Sequence, residues 1–332
     1  MDFKEFTAGK DDDGRRLDRV LRIFLPQLKL NEIYKLIRKG LIKVNQKKAK
    51  ADTHVMQGDK ILIAQFLFNE EQKKPLMQEK ALETKPYTLP YKIIFKNENL
   101  LIIDKPYGQS VHGSEKNKNS GLDKAVLQYY ESIRKDNAQA SLSFRPGPLH
   151  RLDRNTSGLL VFSMSLEGAQ WFSQGIKNHT IQKKYYGLAE GRIEKTEIWE
   201  DRLADSTEAE DSFHTFHTVE ENDQGQAAFT RAIPLAWGRL ENKEVTLVEY
   251  DIKTGRKHQI RAQSQIHGHP LAGDKAYSGH SFEKLQREYY LQAFCLKFPD
   301  DNPLGLPSEI KMGLSPDFLH LLECCEIKNP GL

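Results

Sequence analysis

The segment His150-Arg151-Leu152-Asp153-Arg154-Asn155-Thr156-Ser157-Gly158 places one carboxylate between two arginines, just before a turn and an apolar run. Residues 155–158 are Asn, Thr, Ser and Gly, which are typical of turns, and Leu159-Leu160-Val161-Phe162 reads as a buried strand. Functional groups are commonly mounted on loops that a rigid sheet holds in place. The segment therefore predicts a loop that presents Asp153 beside a sheet.

Two chemical interpretations of Asp153 follow from its neighbours. Arg151 and Arg154 favour the ionised carboxylate. Such a group can attack an electrophilic carbon or stabilise a cation that develops at a sugar. The alternative is a loop aspartate in an ordinary salt bridge, and this segment taken alone favours that alternative.

Charge is distributed unevenly along the 332 residues, although the net charge is only +3. Between Arg15 and Lys60 there are 13 Lys or Arg against 4 Asp or Glu, so this part carries +9 and the remainder −6. At this length we expect more than one folding unit. A small basic module on a mildly acidic body suggests that the module binds a polyanion, with a merely soluble basic surface as the alternative.

Residues 14–64 are predicted to form that module. Leu17, Val20, Leu21 and Phe24 have helical spacing, a second helix starts near Asn31 and ends at Gly40, and short strands follow at 41–45 and 60–63. Arg16-Leu17-Asp18, Ile37-Arg38-Lys39-Gly40, Val44-Asn45 and Gly58-Asp59 resemble a small RNA-binding fold, the S-four-type or alpha-L domain.

The basic residues of this module can gather around its two helices and a turn. We expect them to bind RNA through phosphates and shape, and the alternative is a solvated helix face. The candidates are Arg15, Arg16, Lys35, Arg38, Lys39, Lys43 and Lys47, with Lys29, Lys48 and Lys50 beside them.

Residues 65–87 are polar and proline-containing and are predicted to be a linker, followed by a second domain over 88–328. Its alternating strand-like and helix-like stretches predict an α+β domain around a mixed, largely antiparallel sheet. Residues 199–226 are acidic and are interpreted as a surface insertion or loop. Because no glycine-rich phosphate loop is present, no nucleotide cofactor is expected.

Four segments of the second domain combine turn formers with charged or aromatic residues. They are Asp104 to Gly108 with His112; His150 to Gly158; Lys183-Lys184-Tyr185; and Thr254 to Arg261, continuing to Gly268-His269-Pro270 and Gly273-Asp274. In this order they resemble the motifs of the RluA-type pseudouridine synthases. The N-terminal module, above all residues 33–40, is similar to the large-subunit ribosomal RNA synthase C-like branch of that family.

The resemblance implies the pseudouridine synthase fold and three catalytic roles. Asp153 would be the nucleophile or the glycosidic-bond catalyst. Tyr185 would stack on the target uracil and could act as a base. Arg261 would form the salt bridge that orients Asp153. Alternation along a strand puts Tyr185 and Tyr186 on opposite faces, and the resemblance selects Tyr185 for the cleft.

The resemblance also implies contacts with RNA in this domain. Arg151 would enter the RNA stack where the target base leaves, since chemistry on a base in structured RNA requires flipping. His150, Arg154, Lys105 and His112 are the further candidates. The family usually has an aliphatic residue and His after Arg261, whereas Ala262-Gln263-Ser264 stands here, which puts an RNA contact at that point in doubt.

The implied reaction converts uridine into pseudouridine without net redox change or hydrolysis, so no cofactor is expected. His258, His267 and His269 cluster in sequence without completing a zinc ligand set, so structural or RNA-facing roles are favoured over a metal site. Whether Asp153 adds covalently to C1′ or promotes a glycal is left open.

Cys295, Cys324 and Cys325 form no paired framework, and neither a signal peptide nor a membrane segment is visible, so we expect a cytoplasmic protein. RNA, in particular large-subunit ribosomal RNA, is the expected partner, and the oligomeric state is open. One alternative function is a non-catalytic RNA-binding or ribosome-assembly factor. Another is an RNA glycosidase or nuclease that uses Asp153, which would usually need a second acidic partner to activate water.

Overall fold

A computed structural model describes residues 2–68, 87–113, 121–134, 141–206, 209–211, 214–216 and 218–327. The linker expected at 65–87 lies mostly outside these residues. The chain divides into two compact units, one of 1–90, 125–147 and 163–167 and the other of 91–124, 148–162 and 168–332. The module proposed at 14–64 lies in the first unit, and most of the domain proposed at 88–328 lies in the second.

The first unit has a small sheet and two amphipathic helices. Its elements are β1 (Phe3–Thr7), β2 (Arg15–Arg16), α1 (Leu17–Phe24), α2 (Leu30–Arg38), β3 (Ile42–Val44), β4 (Lys47–Lys48), β5 (His54–Val55) and β6 (Lys60–Ala64). The four-stranded sheet has the order β1-β6-β3-β4, and β2 pairs with β5. Helix α2 begins one residue before the expected Asn31 cap, because the Glu32 carboxylate accepts the Lys29 N–H.

The acidic N-terminal stretch is part of this unit. Asp12 is fully buried, and its carboxylate accepts hydrogen bonds from Ser141 Oγ (2.7 Å) and from the N–H groups of Leu142 (2.7 Å) and Ser143 (2.9 Å). Leu142 packs into the same core as α1 and α2. A short segment distant in sequence is thus held to the N-terminal unit by one buried carboxylate, which the local sequence does not reveal.

From residue 93 onward the chain forms β7 (Ile93–Lys96), β8 (Leu100–Lys105), α3 (Leu122–Arg134), β9 (Ser157–Ser163), α4 (Leu166–Lys177), β10 (Gln182–Glu190), β11 (Glu197–Asp205), β12 (Ala209–Asp211), β13 (His214–Phe216), β14 (Val219–Glu221), β15 (Gln226–Leu240), β16 (Lys243–Ile252), α5 (Gln259–Ile266), β17 (Leu291–Lys297), β18 (Glu309–Lys311) and α6 (Pro316–Cys324). Ten of these strands make one sheet of order β14-β11-β15-β16-β10-β17-β9-β8-β7, with β18 also paired to β17. No helix in the described ranges is both long and apolar enough to cross a bilayer.

The sheet confirms the predicted mixed, largely antiparallel architecture. Strand β9 runs parallel to β17, whereas β10 is antiparallel to both β16 and β17. The expectation of a loop at 199–226 is wrong, because β11 and β14 belong to the main sheet and Trp199 and Leu203 are buried. A strand with one solvated face carries many charges, so the acidic composition hid the period-two pattern.

Candidate active site

Asp153 stands in the loop that leads into β9, and its side chain is 17% exposed. It lies where two cavities of about 500 and 640 Å³ meet, since both are lined by Asp153, His258 and Arg261. The turn ends at Gly158, which has a φ of +107° and abuts the Ala293 carbonyl of β17 so closely that a Cβ would collide with it. Glycine therefore lets β9 pair with β17 directly after the loop.

Lys105 holds the Asp153 loop through hydrogen bonds to its backbone. Its side chain is fully buried, and Nζ donates to the carbonyl oxygens of Pro106 (3.1 Å), Arg154 (2.9 Å) and Thr156 (2.6 Å). Burial lowers the pKa of Lys105 to about 8, opposed by the charge of Asp153. The expectation that Lys105 contacts RNA is corrected, because all three of its hydrogen bonds go to the backbone on either side of the active-site loop.

Tyr185 lines the smaller cavity together with Asp153, while Tyr186 packs in the core on the other face of β10. The Tyr186 ring is stacked on Phe294 at a centroid distance of 3.5 Å. Burial and the charge of Asp153 raise the pKa of Tyr185, which keeps its hydroxyl protonated. The structure thus brings Tyr185 and Asp153 to one cavity.

Arg261 does not form the expected salt bridge with Asp153. Its Nε and Nη2 donate to Asp274 at 2.6 and 2.7 Å, and the guanidinium lies between the rings of Tyr277 (4.7 Å) and Tyr289 (4.5 Å). Burial opposes the charge of Arg261, but the hydrogen bonds and charge of Asp274 outweigh it and raise the pKa. Arg261 lines both cavities and acts on Asp153 through its field, because its hydrogen-bonding edge is occupied by Asp274.

His150 is partly buried and is held by two contacts within the fold. Its Nε2 accepts the Val161 N–H at 3.1 Å, and its ring stacks on Phe172. Burial, reinforced by the charge of Lys183, lowers the pKa of His150 to about 3. The ring borders the cavity, but its contacts with Val161 and Phe172 are made within the protein. This geometry therefore does not support the expected RNA contact of His150.

The smaller cavity is strongly basic. Apart from Asp153, its charged lining residues are Arg151, Lys177, Lys183, Lys253, Arg256, Lys257 and Arg261. Burial lowers the pKa of Lys183 to about 8. Arg151 is exposed at the rim. A single carboxylate among seven cations suits a polyanion, because the cations attract phosphate groups and Asp153 is the one carboxylate in this lining.

The other expected RNA contacts of this unit lie at the surface. Arg154 is exposed, and its Nε donates to the Gly108 carbonyl at 3.0 Å. His112 is exposed and pairs with Asp123 at 3.1 Å. Each of these two side chains therefore has one partner within the protein and is otherwise accessible to RNA.

The candidate RNA-binding residues of the N-terminal module divide into two groups. Arg15 donates to Ser143 Oγ at 2.9 Å, Arg16 binds Asp18 in a bidentate pair, and Lys43 lies over the Phe3 ring. Lys35, Arg38, Lys39 and Lys47 are exposed on α2 and β4. The second group therefore presents the free positive charge, and the first stabilises the module.

Residues 262–264, where the sequence departs from the family pattern, face inward. Gln263 is fully buried, accepts the Thr230 hydroxyl hydrogen at 2.6 Å and donates to Asp201 at 2.6 Å. The residues that depart from the family pattern therefore pack α5 against β11 and β15. The neighbouring histidines also have separate partners, His267 on Asp201 and His269 on the Glu190 carbonyl.

Sequence reasoning missed the roles of two residues inside its own motifs. Asp274 closes the pair with Arg261, and His258 lies with its Nε2 3.8 Å from Asp153 Oδ1. The signal for Asp274 was present, because a buried arginine needs an acidic partner and the Gly-Asp pair at 273–274 supplied one.

Comparison with known families identifies the chain at this point. The model of the RNA pseudouridylate synthase family matches residues 99–265, which include Asp153, Tyr185 and Arg261. The S4 domain model matches residues 15–61. The chain belongs to the RNA pseudouridylate synthase family. It is therefore an isomerase that acts on RNA, and it carries an S4 domain at its N-terminus.

Individual relatives of this pseudouridine synthase agree with the assignment. The chain is 28% identical over 308 residues to the Ribosomal large subunit pseudouridine synthase C of Haemophilus influenzae, covering 89% of this chain and 87% of that one. The Escherichia coli protein of the same name is 28% identical over 304 residues, covering 87% and 86%. The solved structure of Human RNA Pseudouridylate Synthase Domain Containing 4 superposes with a TM-score of 0.55 at 21% identity, over 71% of this chain and 93% of that one, and shows the shared fold.

Proposed function

We propose that this synthase isomerises uridines in large-subunit ribosomal RNA, with Asp153 as its catalytic carboxylate. In the reaction the C1′–N1 bond breaks, the uracil turns, and a C1′–C5 bond forms. A proton leaves C5 and another is gained at N1, so the product has the composition of the substrate. The observation that carries the proposal is the junction of two cavities at Asp153, with Tyr185 and Arg261 beside it.

Each of these groups has a task in the proposed reaction. Tyr185 offers a ring to the flipped uracil, and its protonated hydroxyl is a hydrogen-bond donor to that base. Arg261, held by Asp274, is the proposed source of a positive field at Asp153. Arg151 at the rim is the proposed group that fills the gap left in the RNA stack.

The choice of ribosomal RNA rests on the names of the relatives and on the S4 domain. The relatives span most of the chain, S4 domain included. Lys35, Arg38, Lys39 and Lys47 offer a positive surface that follows a folded RNA backbone without reading its sequence. A pure RNA-binding factor would need this surface but not the buried arrangement around Asp153.

The test is pseudouridine mapping of 23S ribosomal RNA and transfer RNA from cells with and without the gene. We expect specific ribosomal sites to disappear and to return when the intact chain or a D251N control is supplied, but not with D153N. The D153N protein should still bind the RNA. Loss of sites in transfer RNA alone would overturn the ribosomal substrate. Restoration by D153N would overturn the role of Asp153.

A further inference from the structure

His258 is the basic side chain that approaches the carboxylate most closely. Among the described Lys, Arg and His residues, it alone brings a side-chain nitrogen within 4.0 Å of an Asp153 carboxylate oxygen, with Nε2 at 3.8 Å from Oδ1. The two side chains are similarly enclosed, 18% and 17% exposed. This separation is longer than a hydrogen bond, but hydrogen bonds at active sites often tighten only when the substrate is bound.

The hydrogen bonds behind His258 determine where its proton lies. The Tyr277 hydroxyl oxygen accepts the N–H of Val219 at 2.9 Å and lies 2.9 Å from His258 Nδ1. Because its acceptor side is used by Val219, the hydroxyl has its own hydrogen to donate to Nδ1. Nδ1 is then an acceptor, and a neutral imidazole carries its hydrogen on Nε2, the nitrogen that faces Asp153.

Charge and conformation support this reading. Burial, partly offset by the charge of Asp153, lowers the pKa of His258 to about 4, with Arg261, Lys257 and Arg151 acting in the same direction as burial. The ring is therefore neutral near pH 7. His258 also has left-handed backbone angles, φ 52° and ψ 21°, at the start of α5. A non-glycine residue in that region is strained and needs surrounding structure to hold it.

We propose that His258 is a positioning residue for Asp153: its Nε2–H is presented to the carboxylate, and Tyr277 selects the tautomer that makes this possible. The chain of donors runs from the Val219 N–H through the Tyr277 hydroxyl and the His258 ring to Asp153. This arrangement holds one oxygen of the Asp153 carboxylate and leaves the other free for the sugar. In this proposal β14, within the stretch 199–226, holds the Tyr277 hydroxyl through the Val219 N–H.

The inference rests on the proposed activity at Asp153, and two measurements separate it from that activity. The first needs no turnover: 15N-histidine labelling of the full chain and a long-range proton–nitrogen spectrum, with the His258 signal assigned from its absence in H258Q. We expect the Nε2–H tautomer in the intact chain and a shift toward Nδ1–H in Y277F. An Nδ1–H tautomer in the intact chain would overturn the proposal.

The second measurement is single-turnover kinetics with a ribosomal RNA fragment that the intact chain modifies. H258L, which has no donor, should lower the rate about 100-fold with RNA affinity within about threefold, and H258Q, whose amide can donate, should recover to within about tenfold. Y277F keeps the ring against Arg261 and should fall between them. Equal rates for H258L and the intact chain, where D153N is inactive, would overturn the inference and leave the proposed function standing.

Discussion

Arg261 and Asp274 form a bidentate ion pair that is almost entirely buried, with side chains 9% and 2% exposed and two nitrogen–oxygen distances of 2.6 and 2.7 Å. The pair lies beside Asp153, the proposed catalytic carboxylate, since Asp153, Arg261 and Asp274 line the same cavity. It holds the guanidinium between two tyrosine rings, so the positive field at Asp153 has a defined origin.

We expect D274N to lower both stability and turnover. Removing one partner of a buried pair leaves the other charge uncompensated, at a cost of about 3–5 kcal/mol in the free energy of unfolding. The matched control is D251N, which breaks the pair with Arg231, whose side chain is 46% exposed, and should cost under about 1 kcal/mol. Urea unfolding and single-turnover rates check both, and equal effects of the two variants would contradict the assignment.

Lys105 is expected to hold the Asp153 loop rather than to bind RNA. K105M keeps the length of the side chain but leaves the carbonyls of Arg154 and Thr156 without their donor. We expect faster amide exchange at 153–156 and a lower rate with unchanged RNA affinity. Hydrogen exchange by mass spectrometry measures the first effect, and K124M, at an exposed position on α3, is the control. Weakened RNA binding with normal loop exchange would restore the RNA-contact hypothesis.

The salt dependence of RNA binding tests the surface of the S4 domain. Replacing Lys35, Arg38, Lys39 and Lys47 with glutamine should weaken RNA binding. The slope of log affinity against log salt should fall by up to about 3, because each phosphate contact contributes about 0.7–0.9 to that slope. The control replaces four exposed cations of the second unit, Lys195, Arg239, Lys243 and Lys284. Filter binding between about 50 and 200 mM salt gives both slopes. Identical slopes for the two quadruple variants would exclude this surface.

Point variants suit this test better than removal of residues 1–63. Asp12 and the N-terminal core hold Leu142, so a truncation would also expose apolar surface of residues 141–143. A loss of binding after truncation would then have two causes. The charge substitutions leave Asp12 and the core of the unit intact.

Acid should destabilise the fold through His150. Its pKa falls from 6.5 to about 3 on folding, so between these values the unfolded chain binds one more proton than the folded chain. Stability is therefore fully present above pH 6.5 and is lost at about 1.4 kcal/mol per pH unit as the pH falls toward 3. Urea unfolding at several pH values should show this component in the intact chain and not in H150Q. Parallel pH profiles would show that His150 does not carry it.

Several features could be predicted from the residues because their causes are local. Helical spacing at 17–24 and the apolar run after Gly158 arise from contacts within one element, and both elements are observed. The opposite faces of Tyr185 and Tyr186 follow from strand alternation, whereas only packing against Phe294 shows which of them is in the core. Strands β11 and β14 were missed because half of their residues face solvent and carry charge.

By itself the sequence determined the family and the two kinds of domain, since order and spacing of motifs are properties of the chain. It also proposed Asp153, Tyr185 and Arg261 as the central residues. It could not determine the partners of those residues. Asp153 lies in the loop before β9, Arg261 in helix α5 and Asp274 in a turn after that helix, and their charges alone permit either acid to pair with the arginine. Only the tertiary structure decided that Asp274 takes Arg261 and that His258 faces Asp153, because hydrogen bonds depend on distances of a few ångströms that spacing along the chain does not specify.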